Sequence, residues 1–295
     1  MPTFEREGIN LHFEDTGEGH PILFLHEFGG DVRSWEAQMR YFSRRYRCLA
    51  LASRGYPPSD VPDDPAKYGW ETSLADAVGL LDYLGLTQAH VVGLSMGAYT
   101  GLMMAMRHPY RVTALVAASG GSGAYPPTRE NFIAETLAAA DAIEKAGAVP
   151  ATSMGEAANR IQLKIKDPRG WAEFVRGLGE HPATGAALTF RHVQGVRPSL
   201  YDFEAELAAV AMPVLLMVGD EDDPCIEVNL HMKRLMPMAG LSIAPKSGHL
   251  VNLEDPARFN AEVEAFFITA ETGRWPARTA PGDTIRMFKP DGDGD

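Results

Sequence analysis

The chain has 295 residues and a formal charge of -12, from 27 Lys and Arg against 39 Asp and Glu. That balance disfavours nucleic acid and anionic membrane surfaces, and points to partners that are small and uncharged or weakly charged. Hydrophobic residues make up 45%, enough to bury one large core, yet no apolar run approaches the roughly 18 residues needed to cross a bilayer.

The start, Met1 to Glu7, lacks a basic flank followed by an apolar segment, which predicts a cytoplasmic protein. Residues 3 to 17 alternate apolar and polar around Gly8, with Ile9, Leu11 and Phe13 on one face, as in a short antiparallel pair at a sheet edge. Ile22 to Leu25 is apolar without alternation, the pattern of a strand covered on both faces, and it ends in the turn His26-Glu27-Phe28-Gly29-Gly30. Ser34 is placed to cap a helix from Trp35 to about Tyr46. Cys48 to Leu51 reads as the next buried strand, stopped at Arg54-Gly55-Tyr56-Pro57-Pro58. After a proline-rich surface excursion, Thr72 or Ser73 is placed to cap a helix carrying Leu74, Val78, Leu81 and Leu84, closed by Gly85.

Ala89 to Leu94 then leads into Gly93-Leu94-Ser95-Met96-Gly97, followed at once by a helix-compatible segment from Ala98 to Met106. Strand, tight turn and helix are the context in which G-x-S-x-G exposes a serine hydroxyl above a sheet, so Ser95 is the candidate nucleophile. Val112 to Ala118 makes a further buried strand. Alternation of strand and helix at short intervals predicts an α/β fold, a mostly parallel sheet flanked by helices.

From Gly120 to about Ala211 only helical patterns occur, roughly at 128 to 147, 155 to 165, 169 to 179, 184 to 194 and 202 to 210. This divides the chain into a core, 1–121 and 206–275, and an inserted helical cap, 122–205. Strands resume at Val214 to Val218 and Leu241 to Ala244, with helices from about 226 to 236 and 256 to 271. Residues 276–295 are rich in Pro, Gly and Asp and read as a loose C-terminal tail; their repeated aspartates lack the glutamate of a calcium loop. Cys48 and Cys225 read as buried free thiols, and no Cys/His spacing resembles a metal site.

A serine hydroxyl needs a base to take its proton and a carboxylate to orient that base. The last two strands are followed by Gly219-Asp220-Glu221-Asp222-Asp223-Pro224 and by Lys246-Ser247-Gly248-His249-Leu250. In a parallel sheet all carboxyl ends share one edge, so these loops can meet Ser95 there, in the chain order Ser, Asp, His.

With these motifs the chain resembles the α/β-hydrolases, over about residues 9 to 120 and 205 to 272. The resemblance implies Asp222 as the acid, His249 as the base, and Asn252-Leu253-Glu254-Asp255-Pro256 as the entry to the last helix. An oxyanion hole needs two backbone N–H groups; one is expected from Met96, and the resemblance implies Phe28 for the other. Glu27 stands where the family usually has glycine. A carboxylate facing the oxyanion would oppose catalysis, so Glu27 is expected to turn outward or to pair with a cation such as Arg33 or Arg54. Ser53-Arg54-Gly55 is assigned no chemistry. His26 reads as a structural hydrogen-bonder, His181 and His192 as solvated or packed. Trp171, Phe174 and Tyr125 read as residues that hold the cap down, and Met103, Met104 and Met106 as core.

The expected function is hydrolysis of a small, largely apolar carboxylic ester through an acyl-enzyme, without cofactor or metal, on a small-molecule substrate, with a homodimer left open. The same triad also serves carbon–carbon bond, lactone and thioester hydrolysis. A binding or receptor module on the same scaffold is the alternative of another class, and it would need neither base nor orienting acid.

Overall fold

The computed structural model describes residues 2–278. The two-residue turn Glu7-Gly8, both with positive φ, joins β1 (Thr3–Arg6) and β2 (Ile9–Thr16) into an antiparallel hairpin. The unalternating runs form β3 (Pro21–Leu25), β4 (Arg47–Leu51), β5 (Ala89–Leu94), β6 (Val112–Ala118), β7 (Val214–Gly219) and β8 (Ala239–Ala244). All eight make one sheet in the order β1-β2-β4-β3-β5-β6-β7-β8, antiparallel at the β1/β2 and β2/β4 pairs and parallel elsewhere.

Successive strand residues point to opposite faces, so each central strand feeds two cores. Leu23, Leu25, Val91 and Leu115 pack with the helices Trp70–Tyr83 and Met96–Arg107, where Met103 and Met104 are fully buried. Ile22, Phe24, Val92 and Val116 pack on the other side with Glu36–Phe42 and Pro256–Glu271, through Met39, Phe42, Phe259 and Phe267.

Between β6 and β7 the chain is helical, as its periodicity predicts: Arg129–Ala146, Ala151–Gly155, Ile161–Lys166, Pro168–Glu180, Ala183–Thr189 and Glu204–Ala208, with short tighter or wider turns between. Ala140, Ile143, Leu178, Ala187 and Val193 of this segment share a third apolar cluster with Phe28, Tyr56 and Met96. Those three residues lie in or just after the loops that leave β3, β4 and β5, so the segment covers the carboxyl ends of the strands. Among the described residues no helix is long and apolar enough to cross a membrane. Both cysteines are free and buried.

Four local expectations need correction. Asp31, not Ser34, starts the first helical stretch: its carboxylate accepts from Arg33 N–H and opens a tight turn, Val32–Trp35, ahead of Glu36–Phe42. The next helix begins at Trp70, ahead of Thr72 and Ser73, and the Ser73 hydroxyl donates back to the Gly69 carbonyl from within it. The pattern at 155 to 165 is two short helices with a break at 156–160. Helix Ala183–Thr189 widens into a looser turn over Phe190–Gln194. Most of the 276–295 tail, including the aspartate repeat, lies outside the described residues.

Candidate active site

Ser95 directly follows β5 with φ of +54°, a backbone that an L residue adopts only when its surroundings enforce it. Enforcement comes from close packing on either side. A Cβ on Gly97 would fall 2.0 Å from the Leu25 carbonyl oxygen, and one on Gly93 would fall 2.3 Å from that of Gly97. The chain therefore turns sharply at Ser95, whose N–H donates to Ala118 O at 2.8 Å, and enters the helix Met96–Arg107. β3 and β5 are neighbours where the strand order reverses, so the loops carrying Phe28 and Ser95 flank the crevice of the sheet.

The three distant residues converge. Ser95 Oγ lies 2.8 Å from His249 Nε2, and His249 Nδ1 lies 2.8 Å from Asp222 Oδ2. Ser95 is 8% exposed, His249 3% and Asp222 0%, so the relay is sheltered from bulk water. The neighbouring acids are occupied elsewhere: Asp220 accepts from Ser247 N–H, and Glu221 takes Gln162 and Lys246. Glu254 accepts from the N–H groups of both Gly248 and Leu250, at 2.8 and 3.2 Å, and so fixes the backbone on either side of His249.

The Phe28 turn is built from below by His26. Burial lowers its pKa to about 4, so the ring is neutral. Its Nε2 accepts from Ser53 N–H, which leaves Nδ1–H to donate to Glu27 O. The Phe28 ring stacks on Phe190 of the helical segment at 3.8 Å. Among the described residues neither the Phe28 nor the Met96 N–H has a backbone acceptor in the turns and loops.

Glu27 behaves otherwise than expected. It is 0% exposed, it does not turn outward, and it pairs with neither Arg33, which holds Asp31 and Glu180, nor Arg54, which holds Asp76. Its Oε1 accepts from Ser34 Oγ at 3.0 Å, while Oε2 is buried without a partner. Burial pushes its pKa up to about 7, against the pull of its own N–H, of Ser34 and of Arg160. Space for it exists because Gly30 has no side chain: a Cβ there would fall 2.1 Å from Oε1.

Two residues in the 156–160 break were not singled out from the sequence. The Asn159 carbonyl accepts from His249 N–H at 2.6 Å, and its Nδ2 donates to Asp222 Oδ1 at 3.4 Å. Arg160 is half-buried as a residue, but its Nε is sequestered and unpartnered; Nη2 donates to Phe28 O at 3.3 Å. Burial lowers its pKa despite Glu27 and Asp222 nearby. The only signal was an asparagine and an arginine inside an otherwise unbroken helical period.

Of the aromatic residues assigned to packing, Trp171 donates to Gly155 O and Tyr125 lies against Tyr201. Phe174 packs against the apolar clusters on both sides and also borders a cleft of about 550 Å³, bounded by Gly29, Gly30, Ser34, Leu178 and Asn252; Ser95 is not among its lining residues. His181 packs edge-on against Tyr56. Asp222, Cys225 and His249 bring three potential metal-ligand atoms within 4.8 Å of one another. They do not fit a metal: the carboxylate and the imidazole are committed to each other, and burial keeps the Cys225 thiol protonated.

An open parallel sheet with a strand-to-helix serine elbow, facing an acid and a histidine from its last two strands, defines the class of α/β hydrolases. The profile of the alpha/beta hydrolase family matches residues 22–262, and the chain belongs to that family. It is a hydrolase. The chain is 28% identical over 269 residues to the 2-hydroxymuconate semialdehyde hydrolase of Pseudomonas sp. strain CF600, covering 90% of this chain and 92% of that one. It is 24% identical over 266 residues to the 3-oxoadipate enol-lactonase 2 of Acinetobacter baylyi, covering 89% and 95%. Among solved structures, a malate-bound thermophilic esterase from Thermogutta terrifontis superposes with a TM-score of 0.78 at 26% identity, covering 91% of this chain and 97% of that one.

Proposed function

We propose that the protein is a serine hydrolase that cleaves a small carboxylic ester through an acyl-enzyme. The observation that carries this reading is the continuous relay from Ser95 Oγ through His249 to Asp222, two contacts of 2.8 Å. Ser95 Oγ attacks the ester carbonyl carbon while His249 Nε2 takes its proton. The N–H groups of Met96 and Phe28 receive the negative charge that develops on the carbonyl oxygen, and Asp222 stabilises the imidazolium. Collapse of the tetrahedral adduct releases the alcohol, which carries away the proton from Nε2. Water, deprotonated by the same nitrogen, then attacks the acyl group, and the carboxylic acid leaves as Ser95 regains its proton. No cofactor takes part in this scheme.

The helical segment 122–205 acts as a cap over the core, 1–121 and 206–275, and a small-molecule substrate in the cytoplasm enters past it. Asn159 positions the base and the acid from the cap side.

Ser95→Ala should lower turnover of 4-nitrophenyl esters by at least about 10³-fold with the thermal melting curve preserved. Retained turnover would refute the proposal. The likeness to the semialdehyde hydrolase favours a second reading, in which the same relay hydrolyses a substrate of that type. Rates on a mixed panel of esters, lactones and semialdehydes separate the two.

A further inference from the structure

The loop that carries His249 is irregular, and its placement needs support from outside. Lys246 opens it with φ of +55°, a backbone that costs an L residue energy unless neighbours enforce it, and Ser247 and Gly248 belong to no helix or strand. Part of the support is the acid loop: Ser247 N–H donates to Asp220 Oδ1 at 3.2 Å, and Ser247 O accepts from Glu221 N–H at 2.9 Å. The rest comes from Glu254 and from the helical segment. Asn159 O takes His249 N–H, and it sits so close that a Cβ on Gly248 would fall 2.3 Å from it.

One side chain of that segment reaches the loop on both sides of the imidazole. Lys166 ends the helix Ile161–Lys166, and its Nζ donates to Ser247 Oγ at 2.9 Å while lying 3.7 Å from Glu254 Oε2. Among the described residues it is the only cation within ion-pair distance of Glu254. The Lys166 side chain is 27% exposed and that of Glu254 0%, so the pair is sheltered, unlike an ion pair in open solvent. Glu254 depends on it. Burial raises the pKa of this carboxyl, and what opposes burial is the N–H groups of Gly248 and Leu250, then the charges of Lys166 and His249. Were the carboxylate to take up a proton, one oxygen would turn from acceptor to donor. An N–H beside His249 would then lose its partner.

We propose that Lys166 is a positioning residue for His249, acting through Ser247 and Glu254, so that the helical segment and not the core alone sets the imidazole in place. The lysine touches neither Ser95 nor Asp222. This inference rests on the relay reading above and adds to it a residue that no motif marks.

The test compares Lys166→Met, which keeps the stem and removes the charge and the donor, with Lys166→Arg, which keeps both. In Lys166→Met, kcat for 4-nitrophenyl acetate should fall about tenfold or more with KM changed by less than about twofold, as for a misplaced base with an intact binding site. The acid limb of its kcat/KM profile should move to higher pH, because Glu254 without its cation binds a proton more readily. Lys166→Arg should restore most of both. In a Glu254→Gln background, where that position cannot titrate, adding Lys166→Met should move the limb no further. A kcat within about twofold of wild type, or a fall in kcat with an unmoved acid limb, overturns the proposal while leaving the Ser95 relay standing. If no ester is turned over, the downfield proton resonance of His249 Nδ1–H reports the imidazole without substrate. It should shift or broaden in Lys166→Met and recover in Lys166→Arg; an unchanged resonance counts against the proposal. Lys166→Gln takes the place of Lys166→Met if the latter fails to fold, with the same outcomes.

Discussion

Folding takes the Glu27 carboxyl from water to complete burial, and burial raises its pKa from the ordinary 4.5 to about 7. The folded state therefore holds this proton more tightly than the unfolded chain does. Its contribution to stability is greatest below pH 4.5, falls as pH rises toward 7, and levels off above that. The difference corresponds to about 3 kcal/mol at alkaline pH. Glu27→Gln keeps the shape and an acceptor for Ser34 but cannot ionise. It should be more stable than wild type at pH 8.5 by up to about 3 kcal/mol and nearly equal to it at pH 4.5, measured by urea unfolding at both values. Parallel pH dependences for the two proteins would mean that Glu27 is not the titrating group. At this scale Ser95 was legible from its strand, turn and helix context, while the loops after the last two strands offered several acids and only the family resemblance pointed to Asp222 and His249. The packing of Glu27 was not legible: it depends on the Ser34 hydroxyl and on a cation brought from the helical segment, neither of which any local pattern announces.

Elements were legible wherever burial on two faces wrote a continuous apolar run, as in β3 to β7, or where helical spacing was long, as in Arg129–Ala146. Their ends were harder to read because side chains near them have competing partners. Ser34 gives its hydroxyl to Glu27 instead of a cap, and Asp31 takes over. The helix Trp70–Tyr83 is placed by a contact that periodicity does not mark. Its Asp76 points inward and receives Arg54 Nε and Nη2, both at 2.7 Å, with each side chain 3% exposed. Arg54 also donates to Lys67 O, so it ties the loop after β4 to the turn that precedes the helix. Removing Arg54 would leave Asp76 with Arg6 Nε alone, at 3.2 Å, in place of a two-pronged buried contact, and breaking a buried pair is costly. Arg54→Ala should cost about 3–5 kcal/mol in denaturant unfolding, whereas the double change Arg54→Met with Asp76→Leu should cost far less. If the single change cost under about 1 kcal/mol, the pair would not be what holds this helix in place.

Charge acts on the molecule as a whole, and it sets how readily an anionic substrate approaches. With a formal charge of -12, the protein presents a negative field to any approaching anion. The Debye length shrinks from about 30 Å at 0.01 M to about 8 Å at 0.15 M ionic strength, which screens the distant surface charges, whereas a contact out of solvent is screened much less. Added salt should therefore relieve the repulsion of an anionic substrate. Raising ionic strength from 0.01 to 0.15 M should increase kcat/KM for mono(4-nitrophenyl) glutarate about two- to threefold, chiefly through KM, and leave its methyl ester unchanged. Steady-state kinetics at fixed pH measures this directly. A decrease for the anionic ester would mean that an exposed cation at the rim, and not the net charge, governs its approach, because solvent-exposed attraction is screened readily.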